Sequence, residues 1–204
     1  RMMKLTSMAL RAGAVLAAAL SFTAAQAADP IKVGMSLALT GAGAPAGKML
    51  QAAIEIWRDD INAKGGLLGR PVEVIVYDDQ SNPSGVPGLY TKLISVDKAD
   101  LLLGPYGSNF VAPAMPTLIQ SKKMTISFTA IGINDEYKYD KYFSMVPVGS
   151  DGVNSFSKGF FEIAAQQKPK PQTVAIIAAD AESGQSAAQG AGDELKKPGS
   201  QLLS

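Results

Sequence analysis

The sequence predicts an α/β fold, a parallel sheet with helices on both faces. Three observations carry this. Short apolar runs of strand length alternate with segments of helical period. Glycine and proline punctuate the junctions, at Gly65-Gly66, Gly104-Pro105 and Pro147. Strands joined by helix-length connections pair in parallel through right-handed crossovers, and such sheets need cover on both faces.

The elements follow in order. Residues 31–37 read as a first strand, and 48–63 carry a helical period with Ala52, Ile56 and Ile61 on one stripe. Gly65-Gly66 ends that helix, since glycine takes the left-handed conformation at a helix terminus without steric cost. Residues 72–77 alternate as a second strand ending at Asp78-Asp79. Pro83 opens a second helix running through Leu89, Leu93 and Val96. Leu101-Leu102-Leu103 is a short buried strand. A helix over 109–121 must hold Pro113 and Pro116 near its first turn or kink there. Residues 125–128 form a fourth strand, 134–141 a polar, tyrosine-containing surface loop, and 142–146 a fifth strand. Val153, Phe156, Phe160 and Ile163 space a further helix, which the prolines at 169 and 171 break. A sixth strand at 174–177 and a helix over 184–196 complete the pattern.

In a parallel sheet the strand C-termini share one edge, and ligands of open α/β folds bind there. The loops to watch are therefore 40–47, 78–83, 104–109, 128–133 and 180–184.

Composition narrows the chemistry. The 204 residues hold no Cys and no His, and the net charge is +1. A thiol nucleophile, a Ser-His-Asp triad and His- or Cys-based metal sites are excluded. Near-neutral charge gives no electrostatic case for nucleic acid. No paired carboxylates have defensible acid–base roles, so no catalytic residues, metal site or cofactor are assigned. Asp78-Asp79 reads as a turn rather than a metal pair, and Asp59-Asp60 as an exposed helix face. The N-terminus has basic residues at Arg1, Lys4 and Arg11, a short alanine-rich apolar run, and Ala25-Gln26-Ala27. That order describes a cleaved export signal over residues 1–27, too short and alanine-rich for a membrane span. No Cys follows it for a lipid anchor.

One stretch is specific: Asp60-Ile61-Asn62-Ala63-Lys64-Gly65-Gly66-Leu67-Leu68-Gly69. Around it stand Leu39-Thr40-Gly41 with Gly47, Tyr77-Asp78-Asp79 with Asn82-Pro83, Gly104-Pro105-Tyr106-Gly107-Ser108, and Asp180. On these residues the chain, from about residue 31 to residue 194, resembles the periplasmic branched-chain amino acid (leucine-binding protein) family of ABC transporter substrate-binding proteins. The resemblance implies a type I periplasmic binding protein fold, with two lobes that close on ligand like a hinge. Residues 28–147 would form the N-terminal ligand-binding lobe, with the first crossing near Pro147. Residues 148–204 would begin a second lobe, here incomplete, and the tail from Lys196 departs from the family pattern. It further implies a periplasmic receptor for a small carboxylate, an ABC importer permease as partner, and no membrane insertion after signal cleavage.

By that resemblance Ser108 matches the position whose hydroxyl, with neighbouring amides, receives the ligand carboxylate; on its own residues it also suits an ordinary N-cap serine. Ala130 matches a position offering backbone atoms, and Thr129 could add a hydroxyl. Tyr106, at the tip of its loop, would stack on the ligand or pack the surface. Thr40 and Asp180 lie on strand-end loops. Three departures point to a larger, less amine-like ligand. Ala46 replaces a bulky aromatic, Ser183 stands where Tyr or Phe is expected, and Ile131 stands where Thr often does. An aromatic or otherwise bulky acid is therefore expected ahead of leucine.

Two other readings compete. Residues 40–47, glycine-rich between a strand and a helix, imitate the dinucleotide loop of a Rossmann-like enzyme, but the third glycine is misplaced and Pro45 interrupts the cradle. The same fold could also serve as a ligand sensor without transport.

Overall fold

A computed structural model of the chain describes residues 29–146, 149 and 151–196. The export signal at 1–27, the crossing at Pro147 and the divergent tail from residue 197 lie outside them. Five strands form one sheet: β1 (Ile31–Leu37), β2 (Val72–Asp78), β3 (Leu101–Leu103), β4 (Thr125–Ser127) and β5 (Tyr142–Ser144). Their order is β2-β1-β3-β4-β5 and every pairing is parallel. Strand β1, between β2 and β3, bonds β2 along its whole length, from Ile31 opposite Val72 to Leu37 opposite Asp78. Successive residues of a strand point to opposite faces, and both sets on β1 are buried: Val33, Met35 and Leu37 on one side, Gly34 and Ser36 on the other. Both faces of the sheet are thus covered at β1, as the sequence predicts.

The helices are α1 (Ala44–Ala63), α2 (Val86–Ser95), α3 (Ser108–Gln120), α4 (Ile133–Tyr137), α5 (Gly152–Ala165) and α6 (Glu182–Lys196). Helix α1 packs on β1 and β2. It starts earlier than its apolar period suggested, because Pro45 sits in its first turn, where no N–H is needed and φ is preset. It ends as the glycines predict, with the Gly66 N–H donating to the Ile61 carbonyl at 2.9 Å. Helix α2 follows a 3-10 turn at Pro83–Gly85 and buries Val86, Tyr90 and Leu93. With Leu102, Val111, Ala114, Met115 and Leu118 these form the main core.

One alternative falls and two expectations are corrected. Of the two arrangements expected for Pro113 and Pro116, placement in the first turn of α3 is ruled out, since both lie inside the helix. Proline lacks an N–H, so Pro116 leaves the Ala112 carbonyl without its helical donor. The Tyr137 hydroxyl supplies one, at 3.1 Å. Residues 134–141 are therefore not a simple surface loop: α4 occupies their start, and their tyrosines turn inward. The Tyr139 hydroxyl donates to the Lys123 carbonyl at 2.9 Å, and the Asn134 side chain closes the turn by bonding both the N–H and the carbonyl of Tyr139. Finally, residues 174–177 are not a strand. A strand is made by its ladder partner, and among the described residues this segment has none; Ile177 is 98% exposed. Helices α5 and α6 pack on each other through Phe161 and Ala191, with Val174 and Leu195 at the margin.

Candidate functional site

The strand order reverses at β1, which lies between β2 and β3. The loops leaving β1 and β3 therefore part in opposite directions and leave a crevice at their C-terminal ends, the place where open α/β sheets hold ligands. The loop after β4 joins the same edge. Two clusters of predicted residues meet there.

The first is built around Ser108. It is the first residue of α3, and Gly107 is the N-cap, so the serine is not a capping residue. Its hydroxyl instead reaches the loop after β4, accepting from the Ile131 N–H at 2.9 Å and donating to the Ile131 carbonyl at 3.2 Å. One residue back, the Gly107 N–H donates to the Thr129 hydroxyl at 3.0 Å. Ser108, Thr129 and Ala130 are thus fastened in one unit. Ser108 and Ala130 are 1% exposed, and the Ala130 carbonyl accepts from Ser144 Oγ at 3.1 Å. As the first amides of α3, those of Ser108 and Asn109 have no intrahelical acceptor. No side chain caps this helix start. An anion placed there meets unpaired donors and the positive end of the helix dipole. Tyr106 stands at the rim, 38% exposed. A cavity of about 330 Å³ opens beside Ala130, lined also by Asn134, Asp135, Tyr142 and Ser144.

The second cluster is the loop after β1. Thr40 is exposed, and its hydroxyl donates to Asp78 Oδ2 at 2.7 Å. Asp78 Oδ1 accepts the N–H groups of Leu39 and Thr40 at 2.9 and 3.2 Å. These donors, the Thr40 hydroxyl first among them, hold the Asp78 carboxyl below the usual carboxylate range. Asp79 next to it is 4% exposed, and burial pushes its carboxyl upward; Ser36 Oγ donates to it at 3.2 Å. The pair is thus committed to the turn, in line with the sequence reading. Ala46 falls in the first turn of α1 rather than in a loop, one residue before Gly47. A Cβ on Gly47 would stand 2.0 Å from the Ala38 carbonyl oxygen, so only glycine lets α1 approach β1 this closely.

The glycine-rich loop after β1 has several of its amides committed within the protein. A phosphate cradle needs free amides, but those of Leu39, Thr40 and Gly43 already donate to Asp78 and Ser81. Asp180 is exposed and accepts from Gln185 Nε2 at 2.7 Å, within its own segment. Among the described residues it makes no hydrogen bond to either cluster. Ser81 is the residue that the sequence did not single out. Its role depends on a turn geometry that a polar run after a strand does not specify.

The family model described as "Periplasmic binding protein" matches residues 30–204. The Leu/Ile/Val-binding protein of Escherichia coli K12 is 28% identical over 196 residues, covering 96% of this chain and 51% of its own length. The chain therefore spans about half the length of the curated relatives it matches over most of its own length. Among solved structures, a solute-binding protein of an ABC transporter from Rhodopseudomonas palustris BisB5, in complex with 3,4-dihydroxybenzoic acid, superposes with a TM-score of 0.68. It is 26% identical, over 81% of this chain and 43% of that one. An ABC transporter substrate-binding protein from Desulfitobacterium hafniense, complexed with Leu, gives a TM-score of 0.69 at 16% identity, over 86% of this chain and 49% of that one.

Proposed function

Because the chain belongs to the periplasmic binding protein family, we propose that it supplies the ligand-gripping lobe of an exported receptor that delivers a small carboxylate to an ABC importer. The observation that carries this reading is the uncapped start of α3, facing the loop after β4 with Ser108 between them. The carboxylate would take the amides of Ser108 and Asn109. The Ser108 hydroxyl would keep accepting from the Ile131 N–H and turn its own proton from the Ile131 carbonyl to the ligand. That carbonyl bond is the longer of the two, at 3.2 against 2.9 Å.

An aromatic acid fits better than leucine. Ala46 and Ser183 leave room, Ile131 removes a polar partner for an α-amino group, and Tyr106 stands ready to stack. The R. palustris protein with 3,4-dihydroxybenzoic acid supports the same direction. Delivery to a permease, a periplasmic location and cleavage of residues 1–27 belong to this proposal.

Calorimetry with 4-hydroxybenzoate, phenylalanine and leucine tests it. The aromatic acid should bind most tightly, and Ser108→Ala should weaken it by about 1–3 kcal/mol, the range for a hydrogen bond to a charged group. Tightest binding to leucine, indifferent to Ser108→Ala, would overturn both the pocket and the anchor.

A further inference from the structure

Gln80 and Ser81, consecutive non-glycine residues just after β2, both have left-handed backbones, at φ +56° and +57°. Such a conformation costs free energy in each residue and persists only where the surroundings enforce it. Two carboxylates enforce it here: Asp78 Oδ1 accepts the Gln80 N–H at 2.8 Å, and Asp79 Oδ1 accepts the Ser81 N–H at 3.1 Å. The result of the strain is the position of one hydroxyl. Ser81 Oγ donates to the Thr40 carbonyl at 2.7 Å and accepts from the Gly43 N–H at 3.0 Å, bridging the two sides of the loop after β1. Asp78 holds the same loop from its other end, through Leu39 N–H, Thr40 N–H and the Thr40 hydroxyl. The fit leaves no slack: at Gly41, itself at φ +78°, a Cβ would lie 2.7 Å from Ser81 Oγ.

We propose that the strained 78–81 turn is a positioning device, in which Asp78 and Ser81 preset the 39–46 loop as one wall of the ligand crevice. The device rests on the receptor reading only for its consequence, ligand affinity; the ordering of the loop stands apart from it. Asp78 and Ser81 touch the loop and not the ligand. A loop already in place when ligand arrives spends none of the binding energy on ordering.

Ser81→Gly separates this role from ordinary turn stability. Glycine accepts the left-handed conformation without strain, so the turn is relieved while the bridging hydroxyl is lost. Hydrogen exchange of the chain, read by mass spectrometry without ligand, should show exchange of residues 39–43 faster by about five- to tenfold, the equivalent of losing one net hydrogen bond. Melting temperature should stay equal or rise, and exchange in α3 should not change. Ser81→Ala should speed the same loop while lowering the melting temperature, since it keeps the strain. Exchange in 39–43 unchanged in both variants overturns the device, and so does a uniform increase that tracks melting temperature in both. The ligand arm uses 4-hydroxybenzoate. If the parent protein binds it, Ser81→Gly should weaken binding about three- to tenfold, and unchanged affinity overturns the link to the crevice. If the parent does not bind it, the receptor reading loses its expected ligand, and the exchange result alone decides the loop device.

Discussion

Residues 29–146 and residues 151–196 follow the same sequence grammar and reach different structures. The first region builds five paired strands and a core in which Leu93, Val111, Met115 and Leu118 are completely buried. The second has the same alternation of helix, apolar run and helix, but its apolar run at 174–177 pairs with nothing described. Its core consists of Phe161 and Ala191, and Phe156, Phe160 and Ile163 on α5 stay 55–64% exposed. The difference teaches that a strand is a relation rather than a local property. Apolar, β-branched residues favour an extended backbone, yet the gain comes from ladder bonds and same-face packing, which only neighbours supply.

The contrast is best broken by single substitutions. The largest effect is expected at Leu102, 1% exposed at the centre of the main core. Leu102→Ala should cost about 2–5 kcal/mol in chemical denaturation, the transfer term plus the cavity left behind. A cost near zero would mean that the two regions are equally loose.

A pH series probes the sheet region through two adjacent carboxyls with opposite signs. Asp78 is held below the ordinary value of about 3.9. Its contribution to stability is present above that value and disappears as pH falls through its lowered folded one. Asp79 is raised by burial, so its contribution is present below the ordinary value and is lost as pH climbs through the raised one. Denaturation from about pH 3 to about pH 8 should therefore show Asp78→Asn flattening the loss on the acid side. Asp79→Asn should flatten the decline above it. The same slope in both variants would show that the pair does not divide in this way.

The smallest effect is expected at the other end of the comparison. Ile177→Ser should change stability by no more than about 0.5 kcal/mol, as for surface substitutions without partners. A loss comparable to that of Leu102→Ala would show that 174–177 is packed after all, and the contrast would fall.

Periodicity and punctuation made most of the sheet region legible. The order of strands and helices, the parallel pairing, the glycine stop after α1 and the edge that gathers Ser108, Thr129 and Ala130 all follow from residues close together in the chain. These features depend on local conformational limits and on a pattern that repeats every two or 3.6 residues. What the sequence could not decide depends on partners far along the chain. Pro116 is tolerated inside α3 because Tyr137, 25 positions away from Ala112, supplies the donor that the proline lacks. Ser108 ties the start of α3 to the loop after β4, rather than capping the helix, because Ile131 lies across from it. Ser81 matters because Thr40 and Gly43, about 40 positions earlier, present a carbonyl and an amide to its hydroxyl. A backbone hydrogen-bonding group is present at nearly every residue and carries no mark in the sequence. Which of them a side chain will meet is decided only when tertiary packing brings them to within about 3 Å.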